Sequence, residues 1–143
     1  VFSGSTAGDS PFGASEADED LLALAQVELR RAEVAAAAGR GPEALGFAEG
    51  GLARIDDFNE RTGSGVTETS LRLLRVLATL VLDGAVARSS LHRDLEADLV
   101  AAYDFMARFP SPRTREDRMR FEIYLTMLRS GAPTPNASPG SPR

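Results

Sequence analysis

No lysine occurs anywhere in this chain, although sixteen arginines do. Either base is an ordinary surface choice, so lysine has been excluded. The causes available are a GC-rich source, whose codons favour Arg, Ala, Gly and Pro, and selection against amines that can be acylated or ubiquitinated. Cysteine is also absent, which removes disulfides, thiolate metal sites and cysteine nucleophiles. There is no tryptophan, and His92 is the single histidine. No apolar run approaches the ~20 residues of a membrane span. The longest, over 71–86, is broken by Arg72, Arg75 and Asp83. The first fifteen residues lack the basic start and apolar run of a secretory signal, so an intracellular, cytoplasmic protein is expected. Valine at position 1 reads as the start of a processed product or of a piece of something longer.

What is present is one domain's worth of ordinary globular composition, 143 residues at 43% hydrophobic and 26% charged. The net charge of −5 is unevenly spread. Residues 1–34 hold seven acids against two arginines, and residues 107–143 hold three acids against seven arginines. Such an acidic beginning and basic end suit a self-complementary or partner-facing surface better than general affinity for nucleic acid.

Period-2 alternation is lacking beyond four residues, so strands are not expected. Five helical patterns are, between flexible tails over 1–15 and 131–143 (GAPTPNASPGSPR). The helical domain is thus 16–130. The acidic group Glu16, Asp18, Glu19, Asp20 opens the first helix, which runs through LLALAQVELRRAEVAAAA to about Ala38 and stops at Gly39. Pro42 sits in the first turn of the second, where Leu45, Ala48, Leu52 and Ile55 share a face, and Gly46, Gly50 and Gly51 offer room for a close neighbour. RTGSG at 61–65 ends it. Thr67 caps a third helix, expected over about 67–87, whose apolar arc is wide enough to place it at the centre. Ser89 and Ser90 are the expected caps of the fourth, which Pro110 closes. Ser111 and Pro112 start the fifth, with Phe121, Tyr124, Leu125 and Leu128 inward and Gly131 at its end.

The chemistry on offer is sparse. His92, expected in the first turn of the fourth helix beside Arg93 and Asp94, has no triad around it. No Glu or Asp stands three residues before it, as a di-iron bundle requires. Asp56 with Asp57, and Glu96 with Asp98, are spaced to diverge on a helix. No catalytic residue, cofactor site or metal site is therefore assigned. The densest electrostatic feature is Arg108, Arg113, Arg115, Arg118 and Arg120, guanidinium groups suited to phosphate or carboxylate, with Glu116, Asp117 and Glu122 close by. Leu21, Leu24, Val27 and Leu29 carry the spacing of a leucine-rich nuclear export signal, which is equally that of an amphipathic helix. Asn136 with Ser138 forms a glycosylation sequon.

From Ala35 to Leu52, AAAAGRGPEALGFAEGGL resembles the loop and second helix of a tetratricopeptide hairpin, with Gly39 at the turn and Ala44 where the helices cross. Phe109 and Pro110 are similar to the close of such a repeat. At the matching place in the second hairpin stands Asp98 rather than a small residue, and the hairpins are spaced about 48 residues apart rather than ~34. The resemblance implies a helical-hairpin scaffold that binds a peptide or partner helix. The expected fold is all-α, five helices packed as hairpins around the third. The expected function is a non-catalytic protein-interaction module, adaptor or small subunit of a larger assembly, with a protein partner or further copies of itself. Candidate contact residues are Phe47, Phe58, Arg113, Arg115, Arg118 and Arg120. A nucleic-acid-associated regulator using the fifth helix and a small carboxylate enzyme built on Glu96, Asp98 and Glu122 are the rivals.

Overall fold

The computed structural model describes residues 16–63 and 65–131. They form five α-helices: α1 Glu16–Ala37, α2 Gly41–Thr62, α3 Glu68–Leu82, α4 Leu95–Arg108 and α5 Pro112–Ser130. A single turn of 3-10 helix, Arg88–Ser90, lies between α3 and α4, and no strand occurs among the described residues. The tails expected at either end, with Phe2, Phe12 and the Asn136 sequon, lie outside the described residues, apart from Gly131.

α1 and α2 pair as one hairpin and α4 and α5 as a second, while α3 packs against all four. Its sequence explains that place. Leu71, Leu73, Leu74, Leu77 and Leu80 are all buried, each stabilising the fold by roughly 1.5–3 kcal/mol relative to exposure. They join Leu52 and Ile55 of α2, Leu95, Leu99 and Met106 of α4, and Phe121 of α5 in a single core.

The helix ends follow from local chemistry. The Thr67 hydroxyl accepts from the Ser70 N–H at 3.1 Å, and the Ser70 hydroxyl accepts from the Thr67 N–H at 2.9 Å. Ser111 and Thr114 repeat this reciprocal cap at the start of α5, just before Pro112. At the end of α1, Gly39 takes φ +79° and lets the Arg40 N–H reach back to the Ala35 carbonyl at 2.9 Å.

Two expected boundaries shift. α3 stops at Leu82 rather than near 87, because Gly84 at φ +80° turns the chain and the Ala85 N–H bonds to the Leu80 carbonyl at 2.9 Å. α4 starts at Leu95, capped by the Asp94 carboxylate on the Ala97 N–H at 3.1 Å, not at Ser89 or Ser90. The delay has a cause on α2. The Glu49 carboxylate accepts from the His92 N–H at 2.6 Å and from the Arg93 N–H at 3.2 Å, which holds this stretch of backbone outside the helix.

Candidate interaction surface

α5 carries two opposed apolar edges. Phe121, Leu125 and Leu128 are buried, while Met119, Ile123 and Met127 recur every four residues on the other side and are 38–60% exposed. Residues four apart stack along one line of a helix, so these three make a continuous ridge about 12 Å long at 1.5 Å per residue. A second uncovered stripe runs along α1, where Leu24, Val27 and Val34 are 43–57% exposed. Isolated exposed apolar side chains are ordinary, whereas ridges of them at helical spacing are candidate contact surfaces.

The four arginines chosen from the sequence do not act together. Arg120 is half-buried against Asp117 at 3.2 Å and Glu116 at 3.6 Å, and Arg113 reaches Glu68 of α3 at 3.6 Å. Arg115 and Arg118 form no ion pair among the described residues. Arg115 precedes Met119 by one turn and so stands at the end of the ridge. The two phenylalanines separate as well. Phe47 lies half-buried against the core, with the Arg31 guanidinium 5.9 Å from its ring centre. Phe58 is only 9% exposed, so it belongs to the interior rather than to a contact surface. Of the export-like set, Leu29 is buried while Leu24 and Val27 are exposed, so the four do not share one outward face.

Of the carboxylates considered for catalysis, Glu96, Asp98 and Asp56 are held by arginine and Glu122 is not. Glu96 accepts from Arg129 at 2.8 Å and from Arg88 at 3.2 Å, and these two guanidinium groups, Arg129 first, hold its carboxyl below the usual range. Asp98 and Asp56 each lie 2.8 Å from Arg93, whose side chain is largely buried. Burial alone would lower the pKa of Arg93, but the two carboxylates outweigh it and raise the guanidinium above its ordinary value. Glu122 is exposed. His92 is almost wholly exposed on its ring, 3.1 Å from Glu49. Among the described residues no three His, Asp or Glu side chains converge as a metal-binding group, and no helix is long and apolar enough to cross a membrane.

An open groove of about 330 Å³ lies where α3, α4 and α5 meet. Val66, Leu71, Phe105 and Met106 form its apolar floor, and Ser111 and Arg113 stand on its rim. It holds no convergent set of unpaired polar groups of the kind that orients a small substrate.

Sequence reasoning found α5 through its arginines and missed its ridge. The signal was present, since Met119, Ile123 and Met127 lie four apart and out of phase with the inward Phe121, Leu125 and Leu128. Glu49 was missed for another reason. Its partners are backbone N–H groups 43 and 44 residues away, which no side-chain pattern announces.

Comparison with known proteins adds no relative: no family model matches the chain, and neither the curated proteins nor the solved structures contain a match.

Proposed function

We propose that this chain is a non-catalytic interaction module, an adaptor or small subunit built on helical hairpins, and that the outer edge of α5 is its principal binding face. The observation that carries this reading is the ridge of Met119, Ile123 and Met127, which the fold places in water although its core is already filled by other residues. Such a ridge suits a groove or a second amphipathic helix, which reads anchors at helical spacing. The tetratricopeptide-like first hairpin belongs to the same reading: Gly39 makes the turn at positive φ, and Ala44 is fully buried beneath it.

Phosphate binding by α5 is less well supported, because Arg113 and Arg120 already face carboxylates. A carboxylate enzyme is less well supported too, because Glu96 and Asp98 are committed to arginine.

A photo-crosslinking residue placed at position 123, in the full chain expressed in its source cells, tests the reading. The expected result is an adduct of one discrete mass at position 123 and none at exposed Ala101 of α4. Equal labelling at both positions, or none at either, would overturn it.

A further inference from the structure

The two uncovered stripes lie on helices at opposite edges of the fold. α1 packs chiefly on α2 and α3, and α5 chiefly on α4 and α3, so each leaves a long side to solvent. We propose that copies of this chain associate head to tail, the outer stripe of α1 in one copy seating on the Met119, Ile123 and Met127 ridge of α5 in the next. This rests on the reading of α5 as a binding face and names its occupant.

Charge selects the second copy. Residues 1–34 hold five more acids than arginines, seven against two, and residues 107–143 four more arginines than acids, seven against three. The match continues at the stripes themselves. Asp20 stands one turn before Leu24, and Arg115 stands one turn before Met119. Both are exposed and neither forms an ion pair among the described residues. With the helices parallel and Asp20 opposite Arg115, Leu24 meets Met119 and Val27 meets Ile123. In the same register exposed Arg31 stands one turn past Glu122, about 6 Å along the axis at 1.5 Å per residue, a gap that the long arginine side chain spans. Glu122 likewise has no ion pair among the described residues. The antiparallel arrangement lacks this fit: it brings Asp20 toward Arg129, which Glu96 already holds at 2.8 Å.

One contact of this kind covers both exposed stripes of the molecule. Because it joins two different faces, it does not close at two copies and leads to a ring or an open chain. A single helix-on-helix ridge lies at the small end of specific interfaces, so the association is reversible and depends on concentration.

Sedimentation velocity of the full 143-residue chain and two single variants, Val27→Asp and Ile123→Asp, decides the matter. The parent is expected to grow past dimer as concentration rises and to shrink with added salt. Each variant alone is expected to associate at least about tenfold more weakly. Mixed at equal concentration, they are expected to form one-to-one pairs and stop there, since only the intact α1 edge of one and the intact α5 edge of the other remain. Circular dichroism on each checks that the helices persist, and Ile123→Gln replaces Ile123→Asp should they not.

Three outcomes overturn the proposal. Dimers of Val27→Asp that Ile123→Asp abolishes mean a symmetric α5 to α5 contact. A mixture that stays monomeric means the two stripes do not meet. A parent that is monomeric up to about 1 mM, a concentration at which contacts of only ~4 kcal/mol would register, means no self-association at all. In that last case a position-123 adduct with a different protein would leave the interaction reading standing and remove only the second copy as its occupant.

Discussion

The two hairpins pack by opposite means. α1 and α2 meet through Ala25, Ala32, Ala35, Ala44, Ala48 and Gly51, nearly all fully buried, so their backbones lie close together. α4 and α5 meet α3 through large side chains, Leu95, Leu99, Met106 and Phe121, each at most 1% exposed. A small-residue seam tolerates little enlargement, since an added methylene has nowhere to go, whereas a large-residue seam tolerates little truncation, since a deleted ring leaves a void. The first hairpin is therefore an exact fit of backbones, and the second is a reservoir of buried area.

The sharpest way to break that contrast is to delete volume where volume matters. Phe121→Ala is expected to cost about 3–5 kcal/mol, read as a lower midpoint in urea unfolding. A loss below about 1 kcal/mol would mean that the second hairpin collapses around the void as easily as a surface does. Next comes adding volume to the first hairpin. A Cβ at Gly51 already lies 3.0 Å from both methyls of Leu73 and 3.2 Å from the Glu28 Cβ, so Gly51→Val is expected to cost about 1–3 kcal/mol. Glu49→Gln keeps the shape but weakens the charge-assisted bonds to the His92 and Arg93 N–H groups, for about 1 kcal/mol given their access to water. Gly46→Ala should reverse the sign. Nothing lies within 4 Å of a Cβ there, so the helix gains about 0.4–1 kcal/mol from propensity and a less flexible unfolded chain. Together, Gly51→Val and Gly46→Ala separate tight packing from mere glycine content, by thermal unfolding of both variants.

Which parts of this were legible in the sequence follows the reach of the interactions. Thr67, Ser111 with Pro112, Gly39 and Gly131 act within four or five residues of themselves, and they placed four helix ends. The leucine arc of α3 placed it at the centre, because a helix apolar on so wide an arc has no other stable site. Where distant groups decide, the pattern misled. Ala85 and Val86 extend the apolar period of α3, yet Gly84 at positive φ ends it, and the loop then presses the Ala85 carbonyl to within 2.9 Å of where a Gly41 Cβ would stand. Ser89 and Ser90 have the chemistry of caps, yet Glu49 claims the following backbone from another helix. The candidate surface divides the same way. Arginine density pointed to α5, but ion pairing at Arg113 and Arg120 depends on partners brought by the fold or by helical neighbours, and the exposed ridge shows only once the inward face is known.

The smallest expected effect concerns how the large-residue hairpin is fastened at its rim. Glu96 of α4 ties to Arg129 of α5 and to Arg88 of the turn before α4, so its carboxyl is held below its usual range in the folded protein. A carboxyl whose pKa is depressed by folding contributes stability above its unfolded value, and that contribution fades as pH falls through the folded value. Unfolding midpoints measured from pH 6 downward should therefore decline in the parent below about 4.3, the ordinary glutamate range, by more than in Glu96→Gln. At neutral pH the parent should be the more stable of the two by that same small margin, small because an exposed ion pair is heavily screened. An identical acid limb in both would show that the Arg129 and Arg88 contacts decorate this edge without fastening it. The second hairpin would then be held by its buried rings and leucines alone.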